Sequence, residues 1–144
     1  MNLFTAMEVS ASGLSAERVR MNTLASNLAN ARTTRTPEGG PYKRLDPVFE
    51  AVPLKETSRA GITKSDGGVY MVQVPMIKQD DGAPQLIYDP NHPDADARGF
   101  VALPNVNVVE EMVNLITASR SYEAGVTVMQ TLKGMAQSAL NIGA

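Results

Sequence analysis

The sequence predicts a mainly α protein: long N- and C-terminal helices that pair as a coiled coil, with a small hairpin-rich β and loop insert between them. Three observations predict it. All nine prolines fall between Pro37 and Pro104, so both ends are free of helix breakers. Apolar residues recur at steps of three and four on either side of that stretch, the period of a helix face. Within the stretch, short β-branched runs alternate with Gly, Asp and Pro, the chemistry of strands and turns. Three parts follow: 1–32, the N-terminal helix of a helical domain; 33–104, a loop and small β insert; and 105–144, the C-terminal helix of the same helical domain.

The C-terminal helix, Asn105 to Ile142, has a long apolar row: Val108, Met112, Leu115, Ser119, Tyr122, Val126, Met129, Lys133, Ala136 and Leu140. Small or polar residues interrupt it at Ser119 and Lys133. A second row runs beside it through Val109, Val113, Ile116, Val128, Leu132, Met135, Ala139 and Ile142. A two-stranded seam buries only a narrow stripe, so one partner helix cannot cover both rows. Asn105 or Asn107 caps the start. Glu110 and Glu111 in the first turns favour the helix dipole.

The N-terminal helix supplies the first partner. Met7, Leu14, Met21 and Leu28 are spaced by sevens, with Leu3, Ala11, Leu24, Ala25 and Ala31 on the same side. Gly13 weakens this helix by about 1 kcal/mol relative to Ala. Asn30 is a plausible stop, since Asn tolerates the left-handed conformation at a helix end. Asn22, Asn27 and Asn30 run up one polar side. They fit an exposed surface with a terminal cap, and equally a set of hydrogen bonds across a helical interface that sets register.

In the insert, Thr33 to Leu45 carries Pro-Glu-Gly-Gly-Pro and is irregular. Strand character follows in Val48–Leu54, Val69–Ile77, Gln85–Tyr88 and Gly99–Leu103. Pro75 marks an edge strand. Asp66-Gly67-Gly68 and Asp80-Asp81-Gly82 read as turns before and after the second run. Asp89 to Arg98 is an acidic, proline-broken loop.

The totals exclude several functions. A net charge of −2 gives no bulk attraction to nucleic acid or to an anionic membrane. The absence of cysteine excludes disulfides, thiolate nucleophiles and cysteine metal sites. The N-terminus shows no secretory signal, and no stretch is long and apolar enough to span a bilayer. Asp89, Asn91, His92, Asp94 and Asp96 resemble a metal loop. But a calcium loop needs Gly and Glu at its sixth and twelfth positions, where Asp94 and Phe100 stand; local turn bonding is the better reading. His92, the single histidine, has no nucleophile elbow to serve. Glu38-Gly39-Gly40 lacks the Lys of a phosphate loop, and Arg32 to Arg44 lacks the interleaved aromatics of a nucleic-acid groove. No cofactor and no small-molecule substrate are expected. A helical adaptor or export chaperone, or a small hydrolase built on His92, are the rival readings.

SASGLSAERVRMNTLASNLANARTTRTPEGGPYKR resembles the N-terminal signature of the bacterial flagellar rod and hook family. The matching elements are Ser10, Gly13, Leu14, Ala16, Arg20 and Ala25 through Asn30. TPEGGPY, YDPNHPDADARGFVALPNVN and NVVEEMVNLITASRSYEAGVTVMQTLKGM are similar to its proximal-rod members, while residues 51–86 carry little signal. The resemblance implies a structural, non-enzymatic subunit of the flagellar basal body, in the periplasmic rod. It implies export through the flagellar type III apparatus, polymerisation through the terminal helices, torque transmission and a share of the export channel wall. The partners it implies are other copies of the chain, other proximal and distal rod proteins, and the export gate or inner-membrane ring adaptor. No nucleic acid and no membrane insertion are implied. Terminal helices that are loose in the monomer and ordered on assembly are expected, with Leu115, Tyr122, Met129 and Leu140 buried between helices of the same or adjacent subunits.

Overall fold

A computed structural model describes residues 3–57 and 63–142. In chain order the elements are α1 (Leu3–Ala29), β1 (Leu45–Thr57), β2 (Thr63–Gln79), β3 (Gln85–Tyr88), β4 (Phe100–Leu103) and α2 (Val108–Ile142). β1 pairs with β2 and β3 with β4, in two separate two-stranded sheets. The expected pair of long helices with a β insert is therefore present.

The chain divides into two compact units, each holding pieces of both helices. The first comprises Met1–Val19, Val48–Pro75 and Ala118–Ala144. Its helix seam is lined by small side chains: Ala16 is 4% exposed and Ala118 fully buried. Gly125 shows why. A Cβ built there would stand 2.9 Å from Leu14 Cδ2, so the backbone of α2 approaches α1 to a distance that Gly alone accommodates without displacing Leu14. The β1/β2 pair touches α1 where the Val72 N–H donates to Ser12 Oγ at 3.2 Å.

The second unit comprises Arg20–Pro47 and Met76–Thr117. Leu24, Val101, Pro104 and Val106 are buried in it. β3 and β4 run antiparallel in the register Gln85↔Leu103, Leu86↔Ala102, Ile87↔Val101 and Tyr88↔Phe100. The last pair stacks edge to face, its ring centroids 5.4 Å apart, a favoured aromatic geometry. In α2, Asn107 is the cap: its Oδ1 accepts from the N–H groups of Val109 and Glu110, at 3.1 and 3.4 Å. Asn105, the other candidate, instead accepts the Arg44 N–H at 3.2 Å.

Two expectations about the insert need correction. β1 and β2 run for 13 and 17 residues, well beyond Val48–Leu54 and Val69–Ile77. And Asp66-Gly67-Gly68 lies inside β2 instead of forming a turn before it. Gly68 takes φ +96° there, so its freedom is used for a local kink that lets the strand continue. Pro75 is tolerated within β2 because each strand of a two-stranded sheet has an unpaired edge. The remaining turn assignments hold. Gly39 and Gly40 have positive φ in the loop after α1, and the Gly82 N–H donates to Asp80 Oδ1 at 2.9 Å.

Candidate functional site

The residues with the most specific chemistry lie in the second unit, where the end of α1, the start of β1 and the start of α2 meet. Asn27 is fully buried and makes four hydrogen bonds. Its Nδ2 donates to the Leu45 carbonyl at 2.8 Å and to Glu111 Oε2 at 2.9 Å. Its Oδ1 accepts from the Leu45 N–H at 2.9 Å and from the Tyr42 hydroxyl at 3.0 Å. That uses the full capacity of a carboxamide, two donors and two acceptor lone pairs.

Glu111 is 1% exposed, and its second oxygen, Oε1, accepts from Arg44 Nε at 2.7 Å. Arg44 Nη1 reaches Asp46 Oδ2. Burial opposes the Arg44 charge. The hydrogen bond and charge of Glu111, with Asp46 and Glu110 behind them, outweigh it and hold the guanidinium above its ordinary range. A buried carboxylate is costly unless paired and hydrogen-bonded; here both oxygens have partners. The cluster is a clasp that makes Asn27 of α1 and Glu111 of α2 face each other.

Nothing in it resembles a reaction centre. The chemistry is complete within the chain, with no activated nucleophile. Most side-chain bonds of the acidic loop are likewise local, with Asp94 reaching the loop after α1. Asp89 Oδ1 accepts the Asn91 N–H at 3.2 Å, and Asp96 Oδ1 accepts the N–H groups of Arg98 and Phe100 at 2.8 and 2.9 Å. Asp94 Oδ2 accepts from Thr34 Oγ1 at 2.8 Å. His92 Nδ1 accepts the Asp94 N–H at 3.1 Å. Among the described residues no cluster of His, Cys, Asp or Glu could hold a metal ion, and no helix is long and apolar enough to cross a membrane.

The helix-packing candidates fall into two groups. Leu24 is buried, and Met7, Leu14, Met21 and Leu28 are half-buried on α1. On α2, Leu115, Tyr122, Val126, Met129 and Leu132 are half-buried. Val108, Val109, Met112, Val113, Ile116, Met135 and Leu140 are exposed, from 37% for Val108 to 73% for Leu140. Of the polar candidates, Asn27 is in the clasp. Asn22 is exposed, and Asn30 is half-buried and closes the helix end not by the expected left-handed conformation, which no described residue but glycine adopts, but by donating from its side chain to the Ser26 carbonyl at 2.9 Å.

The sequence alone does not mark Glu111, Arg44 and Tyr42 as partners of Asn27. The available signal was the spacing Glu111, Leu115, Ala118, Tyr122, Gly125: one helix face with an acid at its start. Its acid, alanine and glycine carry no apolar signal, so the bulkier rows beside it dominate the pattern. Arg44 and Tyr42 lie in an irregular segment and carry no periodic signal at all.

Exposed apolar side chains outnumber the core. Six hydrophobic side chains are buried among the described residues, against nineteen large ones exposed. The exposed set includes one ordered stripe: Val109, Met112, Val113 and Ile116, at i, i+3, i+4 and i+7 of α2. A stripe at that spacing is the face one helix offers another element.

Comparison with known proteins gives the family. Residues 7–35 match the family model of the flagella basal body rod protein, and residues 97–142 match that of the flagellar basal body rod FlgEFG protein C-terminal region. Over 149 residues the chain is 42% identical to the flagellar basal-body rod protein FlgC of Borreliella burgdorferi, covering 99% of this chain and 98% of that one. It is 47% identical over 133 residues to FlgC of Aquifex aeolicus, covering 92% and 91%. With FlgC of Bacillus subtilis it shares 43% over 149 residues, 99% of each. Two rod-family matches at the helical ends and these near-full-length relatives establish that the chain belongs to the FlgC family of flagellar basal-body rod proteins.

Proposed function

We propose that this chain is a structural subunit of the proximal rod that polymerises through its terminal helices. In this reading α1 and α2 pair as a coiled coil within the subunit, in a helical rod-core domain of residues 1–32 and 105–144. The outward faces pack against other copies and other rod proteins, proximal and distal, and against the export gate or inner-membrane ring adaptor. Residues 33–104 form an insert that packs against neighbouring subunits or the outer layer of the tube. The assembled helices transmit torque and form part of the export channel wall, through which the subunit itself leaves the cell.

One observation carries the reading: the α2 stripe of Val109, Met112, Val113 and Ile116 is exposed although the inward side of the helix is already satisfied. Full burial of a side chain of this kind is worth about 1.5–3 kcal/mol. Covering four half-exposed ones therefore contributes roughly 3–6 kcal/mol before the costs of association. Leu115, Tyr122, Met129 and Leu140 complete the packing, with Leu140, 73% exposed in the single chain, covered by a neighbour.

Leu115→Asp tests the proposal. The expected outcome is loss of swimming, with electron microscopy showing basal bodies that lack a completed rod. Normal swimming, or purified basal bodies from wild-type cells that do not contain the chain, would sink it.

A further inference from the structure

The clasp sets where the uncovered surfaces of the second unit point. Helical residues advance by about 100° each. Measured from Glu111, which faces α1, the residues Val109, Met112, Val113 and Ile116 lie roughly 100–200° around the helix, on the far side. Measured from Asn27, which faces α2, Asn22, Ala25 and Ala29 lie roughly 160–220° around α1, again on the far side. All three are exposed, and Arg32 just beyond the helix is exposed as well. The Asn27–Glu111 bond thus turns two stripes of different character outward on opposite faces of one helix pair. The α2 stripe is bulky and apolar, with the exposed carboxylate of Glu110 beside it. The α1 stripe is a row of smaller exposed residues, Asn22, Ala25 and Ala29, with the exposed cation of Arg32 in the turn beyond it. Among the described residues neither Arg32 nor Glu110 has an oppositely charged partner at salt-bridge distance, although the Glu110 charge also acts on Arg44.

We propose that the α2 stripe of one copy docks on the α1 stripe of the next, Val109, Met112, Val113 and Ile116 seating over Ala25 and Ala29, with Glu110 against Arg32. This rests on the rod-subunit reading and names the partner surface. Charge complementarity selects a second copy, because the chain itself carries both halves of the contact. The opposed placement has a consequence for symmetry. Two different surfaces on opposite faces make a heterologous contact, which closes into a ring or runs on as a helix and does not stop at a dimer. Pairing Arg32 with Glu110 makes the two helices cross with opposite chain directions.

The chain has no cysteine, so introduced ones report single contacts. Ala25→Cys and Met112→Cys variants are co-expressed in cells whose own copy is deleted, and treated with a short bis-maleimide. A cross-linked dimer from the mixture, absent when either variant is expressed alone, is expected. A dimer from one variant alone means like stripes meet, and overturns the proposal. Swimming cells that yield no dimer overturn this pairing too, while their swimming leaves the rod-subunit reading intact. If the cysteine variants do not swim, charge reversal decides. Glu110→Arg and Arg32→Glu should each reduce swimming, and the double reversal should restore it. Wild-type swimming by either single reversal, or no recovery in the double, overturns the contact.

Discussion

Asn27 shows how one side chain can hold three elements. Its carboxamide joins the end of α1 to the Leu45 backbone of β1, the Tyr42 hydroxyl and the Glu111 carboxylate. Asn27→Leu has similar volume but takes away the partners of the half-buried Leu45 N–H and carbonyl and of one buried Glu111 carboxylate oxygen. Each such group costs about 1–3 kcal/mol, so a loss of roughly 3–5 kcal/mol is expected in chemical denaturation. Arg44→Lys should be milder, since Lys keeps the charge but cannot present Nε to Glu111 and Nη1 to Asp46 together. A second residue-scale prediction concerns acid. The Asp96 carboxyl titrates below its ordinary value of 3.8, chiefly because it accepts the Phe100 N–H, with the Arg98 N–H and charge adding to this against the effect of burial. A folded-state value below the unfolded one means the contribution is present above the ordinary range and is lost as pH falls through it toward the folded value. An NMR titration should therefore find the Asp96 midpoint below 3.8, with amide exchange at Phe100 rising as the group protonates. Asp96→Asn should remove that acid-dependent step.

At the scale of elements, two glycines in the helices have different reasons to be small. A Cβ on Gly13 meets nothing within 4 Å. Gly13→Ala should stabilise α1 by roughly 0.5–1 kcal/mol through helix propensity alone, measured by thermal or denaturant unfolding. Gly125 faces Leu14, so Gly125→Val should cost about 1–3 kcal/mol by overpacking in spite of the better helix former. A stabilised Gly125→Val would refute the close approach of the helices. The strands show where local reasoning stops. Gln85–Tyr88 was legible to the residue, and Phe100–Leu103 to within one, because turn chemistry bounds both. β1 and β2 were not. Pairing of each with the other extends them through residues such as Asp66 and Gly67 that have poor strand propensity alone.

For the whole molecule, stability and assembly should separate. Val113 is 58% exposed, so Val113→Asp should change unfolding stability by no more than about 1 kcal/mol. It should nevertheless abolish swimming, because the charge has to be desolvated when a neighbour covers α2. Circular dichroism melting and a motility assay on the same variant check both halves; a large loss of stability would mean the stripe is already covered within the subunit.

The two long helices, their limits to within a few residues, the irregular loop after α1 and the family are all written in the local pattern of the chain. Those features depend on periodicity, proline placement and turn chemistry, which act over a few residues. Which of the candidate faces turns inward is set by the folded chain. In the first unit the seam uses Ala16, Ala118 and Gly125, where α2 approaches too closely for larger groups; in the second an acid, Glu111, faces α1. The bond that orients it joins residues 84 positions apart. An apolar count favours the rows beside that seam. A buried carboxylate is acceptable only where Asn27 and Arg44 arrive together to neutralise and hydrogen-bond it, and that meeting is a property of the folded chain.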